Sequence, residues 1–238
     1  IFLFMDPRAA LSASEPQVAA AAPAADGDAW ADALALEYQV STDIVYRTAS
    51  GIPLTLDVYQ PRKASARPNP AAIWYHGGGW VTGDKNGTVV RFLPLLKLGF
   101  TVVTVNYRLA KQAPAPAAVD DARYAFRWTI SRAKKFNIDP DRIVLTGTSA
   151  GAHLALMAGM LPVSAGLDHA PGSDASLGVS VADWWTTGPL DEPRAAAIVD
   201  FWGIADVEDL VQGPNLRNWA IDWIGDASDR DLARRMSP

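Results

Sequence analysis

The chain has 238 residues, 49% of them hydrophobic and 20% charged, which is enough for one domain with a sizeable buried core. A formal net charge of −5 with no Lys/Arg-rich run leaves no basic footprint for nucleic acid, and the lack of cysteine removes disulfides, thiolate metal sites and cysteine nucleophiles together. With only His76, His153 and His169, and no H-E-x-x-H pattern, a catalytic zinc is not expected, and no stretch approaches the length of a membrane-spanning helix.

Residues 1–40 are rich in Ala, Pro, Ser and Asp without a sustained period and read as a leader, with a helix expected near Trp30 to Tyr38. "IFLFM" is either the remnant of a signal-peptide apolar region or, with Met5 as the start, the opening of "MDPRAALSASEP". The first reading implies a secreted or periplasmic protein and the second a cytoplasmic one; oligomeric state is left open as well.

The predicted domain runs over residues 41–238. "DIVYRTASGIPLTLDVYQP" holds two alternating runs joined by Ser50-Gly51, with Leu54, Leu56 and Val58 on one face, which predicts an antiparallel strand pair at a sheet edge. Short apolar strands then alternate with helices: "AAIWYH", a helix around Thr88 to Leu98, "TVVTVNY", a long helix from about Ala117 to Phe136, "RIVLTG", another helix, and "AAIVDFW". Strands apolar on both sides and spaced by helices predict an α/β class, with a mostly parallel sheet covered on both faces.

Two motifs carry the chemistry. Gly147-Thr148-Ser149-Ala150-Gly151 follows a strand and opens an apolar helix, the context of a nucleophile elbow. The turn exposing Ser149 is so tight that side chains at the flanking glycines would collide with neighbouring strand and helix. "WYHGGGWVTGDK", residues 74–85, follows another strand, and its glycine run leaves backbone N–H groups free. The N–H groups of Gly77, Gly78 and Ala150 are therefore the expected oxyanion hole, and Ser149 the expected catalytic nucleophile. Ligands bind outside the carboxyl ends of parallel strands, which makes Trp80, Trp202, Trp219 and Trp223 candidate walls of a substrate pocket. The long connection 162–194, with Trp184 and Trp185, is either a surface elaboration or an interface.

These motifs, with "VNYRLA", "PAAVDDARYAFRW", "NIDPDRIVLTGTSAGAHLAL" and "FWGIADVEDLVQGPNLRNWAIDWIG", resemble α/β-hydrolases of the HGGG type. The group is the hormone-sensitive-lipase-like carboxylesterases, and within it the chain is most similar to bacterial feruloyl and acetylxylan esterase-like enzymes. Ala152 stands where that family usually has glycine. The resemblance implies serine carboxylesterase chemistry through an acyl-enzyme, on small or carbohydrate-linked esters, without metal or organic cofactor. It also implies a scaffold role for His153, a loop-orienting role for His76 and a helix-capping role for Asp206.

The expected triad order is Ser, then Asp or Glu, then His. After Ser149 the only histidine is His169, preceding nearly all downstream carboxylates and lying beyond a helix that runs roughly 18 Å from the site at 1.5 Å per residue. His169 is thus expected in a solvated loop. Asp121 is expected to brace a loop, and Asp200 and Asp206 are weaker acid candidates. In similar enzymes two further strands bear the acid and the histidine, so the chain reads as an esterase incomplete at its C-terminus. The alternatives are an inactive α/β-hydrolase acting as a binding protein and a serine exopeptidase.

Overall fold

The computed structural model describes residues 36–63, 65–165 and 193–238. His169, Trp184 and Trp185, and Trp30 with most of the helix expected around it, lie outside the described residues. Tyr38, assigned to that helix, instead opens strand β1 (Tyr38–Ala49). Its hydroxyl donates to the Leu96 carbonyl at 2.7 Å, which ties the strand to a later helix.

β1 pairs antiparallel with β2 (Ile52–Pro61), Ala49 facing Ile52, so that Ser50 and Gly51 form a two-residue turn. Both have positive φ, 52° and 74°, the backbone twist that hairpin turns of this length need. β2 also pairs antiparallel with β4 (Thr101–Val105), while β4, β3 (Asn69–Tyr75), β5 (Ile138–Thr148) and β6 (Ala197–Phe201) run parallel. The order is β1-β2-β4-β3-β5-β6. Only β1 of the hairpin is therefore an edge. β2 is interior because β4 pairs along its other side, from Leu56 opposite Val105 to Tyr59 opposite Val102, while Leu54, Leu56 and Val58 are buried in the sheet's larger core.

Alternation along β3 separates two cores. Ala71, Ile73 and Tyr75 face the larger, with α2 (Ala117–Ser131), α3 (Ala150–Met160) and the C-terminal helices α4 (Val207–Gln212), α5 (Asn218–Ile224) and α6 (Arg230–Arg235). Ala72 and Trp74 face the other, where Phe92 and Leu96 of α1 (Val89–Lys97) pack. A strand whose successive side chains both find apolar partners must lie between two layers. None of the described helices is long and apolar enough to cross a membrane.

The long helix ends at Ser131, short of the expected Phe136. Residues 132–136 continue as turns, with the Ile138 N–H bonded to the Ala133 carbonyl at 2.8 Å. Ala133 and Phe136 are still buried, so the apolar spacing reported packing and not the persistence of helical bonding.

One buried charge cluster fastens these layers. The Asp121 carboxylate, fully buried on α2, accepts from the Arg108 backbone N–H (2.9 Å), Arg108 Nε (2.8 Å) and Nη2 (2.9 Å), and Arg47 Nη1 (3.0 Å). Arg47 of β1 also meets Asp120 at 2.7 Å, and Arg108 reaches Ser50 Oγ in the hairpin turn at 3.2 Å. Strand and loop thus converge on the Asp121 carboxylate of the helix, with the turn joined through Arg108, in the bracing role expected of Asp121.

Candidate active site

β5 delivers Ser149 into a backbone conformation with φ 54° and ψ −122°, outside the regions that residues with a Cβ ordinarily occupy. Packing holds it there. A Cβ on Gly147 would lie 2.4 Å from the Tyr75 carbonyl oxygen, and one on Gly151 only 2.1 Å from the same atom. Both flanking glycines are required because α3 starts directly against the end of β3. The Ser149 N–H is bonded to the Phe201 carbonyl at 3.0 Å, and its own carbonyl accepts from the His153 N–H at 3.0 Å. Among the described residues the Ser149 hydroxyl has no hydrogen-bond partner, and it faces an open cleft of about 340 Å³.

The glycine loop forms the adjoining wall. A Cβ on Gly77 would sit 2.8 Å from the Thr148 carbonyl and 3.6 Å from Ser149 Cβ, so the loop backbone lies against Ser149. Gly78 has φ 121°, and a Cβ there would be 2.1 Å from the Thr82 carbonyl. The Gly78 carbonyl is turned away to accept from the Val81 and Thr82 N–H groups, both at 3.1 Å. Among the described residues no acceptor takes the N–H of Gly77 or Gly78. Ala150, as the first residue of α3, has an N–H without an intrahelical acceptor. The arrangement therefore has a hydroxyl, unpaired backbone donors and the positive end of a helix dipole beside one cleft, which suits a carbonyl oxygen gaining negative charge.

Three clamps keep the loop in place. His76 stacks on Tyr107 with ring centroids 4.3 Å apart, its Nδ1 lies 2.8 Å from the Gly77 carbonyl, and the Tyr107 hydroxyl donates to the His76 carbonyl at 2.8 Å. Burial pushes the His76 imidazole below its ordinary range, favouring the neutral ring. Lys85, almost wholly buried, meets Asp57 at 2.8 Å and Asp43 at 2.9 Å, and its N–H donates to Asn106 Oδ1 at 2.6 Å. Trp80, with φ 60°, stacks on Trp223 of α5 at a centroid distance of 3.9 Å.

The third clamp corrects part of the expected substrate pocket. Trp80 and Trp223 are both 0% exposed, because their indole faces cover each other and a third ring, His153, closes edge-on at 4.8 and 5.4 Å. Neither can touch a ligand; they are core. Trp219 is half-buried and packs on the Gly79 backbone, where a Cβ would come within 3.0 Å of its ring. Only Trp202, 69% exposed and with φ 48°, lines the cleft together with Ser149. Asp84 and Arg91 line it too. Sequence reading missed both: Asp84 lay unremarked inside the glycine motif, and a single arginine in an apolar helix gives no signal.

His153 is fully buried beneath the elbow, and its Nε2 lies 2.7 Å from the Met236 carbonyl. Its hydrogen bond thus braces the C-terminal turn, whereas the glycine loop is touched only through Trp80. Burial lowers its pKa from 6.5 to about 4. As pH falls from 6.5 towards 4 the unfolded chain takes up a proton that the folded chain refuses, so stability falls over that window and the loss from this group levels off below it. The expected loss is on the order of 3 kcal/mol. Urea unfolding at several pH values should show this extra slope in the wild type and not in His153→Met; equal slopes would refute it.

Asp206 caps α4 by accepting from the Asp209 N–H at 3.0 Å. Asp200 near the end of β6 accepts from the Gly203 N–H and so shapes the turn that presents Trp202.

The family model described as BD-FAE matches residues 56–238, which includes the elbow, the glycine loop and the C-terminal helices. The chain belongs to the BD-FAE family. Among curated proteins, Lipase 2 of Moraxella sp. (strain TA144) is 30% identical over 178 residues, covering 70% of this chain and 40% of that protein. Carboxylesterase NlhH of Mycobacterium tuberculosis is 38% identical over 94 residues, 39% of this chain and 29% of that protein. The chain thus spans less than half the length of either relative. A thermophilic esterase of Thermogutta terrifontis, Est2, superposes with a TM-score of 0.61 at 23% identity, covering 85% of this chain and 65% of that structure. The fold of this BD-FAE member is accordingly the α/β-hydrolase fold.

Proposed function

We propose that the protein is a serine carboxylic-ester hydrolase. Ser149 Oγ attacks the ester carbonyl, the N–H groups of Gly77, Gly78 and Ala150 take the charge that develops on its oxygen, and collapse of this tetrahedral adduct expels the alcohol and leaves an acyl-enzyme that water hydrolyses to the free acid and serine. The observation that carries this reading is the apposition, at one cleft, of a serine in a strained backbone conformation with glycine-loop N–H groups, the serine hydroxyl and those N–H groups having no partner among the described residues. Esterase names among the relatives support it. His153 is walled in by rings and His76 is turned to the Gly77 carbonyl, so the reading assigns the base to neither.

The test is covalent labelling of the full-length protein by a fluorophosphonate. One equivalent should attach, peptide mapping should place it on Ser149, and Ser149→Ala should take up none. Attachment elsewhere, or equal labelling of the alanine variant, would overturn the assignment.

A further inference from the structure

This inference rests on the hydrolase reading and concerns what the cleft selects. Arg91 is in the first turn of α1, where a cation opposes the positive end of the helix dipole and so gains nothing from its own helix. It is exposed, lines the cleft with Ser149, and has no ion-pair or hydrogen-bond partner among the described residues. Of the other charged groups nearby, Lys85 is neutralised by its partners, whereas the Asp84 carboxylate keeps its charge on the cleft wall and uses one oxygen as a cap. Asp84 accepts from the Asn86 N–H at 2.7 Å as cap of the turn Lys85–Thr88, and Lys85 is held by Asp57 and Asp43. His76 is buried and favoured neutral. Among the described residues the cleft thus offers one uncommitted guanidinium, and the exposed Trp202, which lines the same cleft, offers an apolar indole for a planar group.

We infer that Arg91 is a specificity residue that pairs with a carboxylate carried by the ester substrate, away from the bond that is cut. A guanidinium holds a carboxylate through two parallel N–H bonds, which gives direction as well as charge. Because Arg91 is exposed, the pairing is screened by salt.

Two matched ester pairs test it and separate the two possible positions of the carboxylate. 4-Acetoxybenzoate and 4-acetoxybenzamide differ only in charge on the alcohol side; the mono-4-nitrophenyl ester of glutaric acid and its terminal amide differ only on the acyl side. The full-length wild type should prefer the acid of at least one pair in kcat/KM, with a preference that falls between about 50 and 500 mM salt. Arg91→Gln should shrink that preference by about fivefold or more, while Arg91→Lys retains part of it. The pair that responds identifies the side on which the carboxylate lies. A preference within about twofold of wild type in R91Q for both pairs overturns the inference.

Failure of the hydrolase reading would look different: no ester of either pair would turn over and Ser149 would not be labelled. Calorimetric binding of 4-hydroxybenzoate against 4-hydroxybenzamide then decides the role of Arg91 without turnover. Preference for the acid, lost in R91Q, upholds the pairing, and equal binding in both proteins overturns it.

Discussion

Replacing Asp121 with asparagine is expected to lower the unfolding free energy by about 3–5 kcal/mol, the range for removing one partner from a buried ion cluster. Four donor contacts converge on this carboxylate, from the Arg108 backbone and side chain and from Arg47. An amide cannot satisfy them, since one of its two ends is itself a donor. Asp120 stays as a partner for Arg47 at 2.7 Å, but Arg108 keeps only a 3.4 Å contact with it. The damage should travel one residue further, because Arg108 follows Tyr107, the ring on which His76 stacks. Urea unfolding measures the first effect, and the labelling rate of the still-folded protein measures the second. A loss under about 1 kcal/mol would show the cluster to be energetically idle, as many exposed ion pairs are.

Gly78→Ala is expected to slow acylation of Ser149 by about 100- to 1,000-fold, the scale on which removing one oxyanion donor acts. The substitution introduces a Cβ 2.1 Å from the Thr82 carbonyl on a residue with φ 121°, so the loop cannot keep its course. The N–H groups of Gly77 and Gly78 would then lose their place beside Ser149. Stability should fall by only about 1–3 kcal/mol, because the clash is at the surface of the core and not within it. Comparing phosphonylation rates at a pH where both proteins are folded isolates the chemistry. A rate within about threefold of wild type would mean that the oxyanion is held elsewhere.

Much of the fold was legible because the central strands β3 and β4 are apolar on both sides and most strands are punctuated by glycine or proline. Alternation in the hairpin, the β-branched run of β4 and the glycine pair around Ser149 all gave the right elements. The elbow was readable for a local reason: the collisions that demand Gly147 and Gly151 involve the Tyr75 carbonyl and the helix start, both fixed by the same short motif. The tryptophans were not readable in that way. Trp80 follows the glycine run as a ligand-facing residue would, yet whether an indole meets solvent or Trp223 depends on where α5 docks. Arg91 was invisible for the converse reason, since its interest comes from a partner it lacks and a cleft built by other segments.

The stack of Trp80 on Trp223 joins two places far apart in the chain. During synthesis the glycine loop and the elbow leave the ribosome well before α5 exists to cover the loop. Contacts of such long sequence separation are closed late, after local helices and neighbouring strands have formed. Of the three clamps on the glycine loop, the Trp80 stack is therefore the last to close, and until α5 docks the loop is held only through His76–Tyr107 and Lys85.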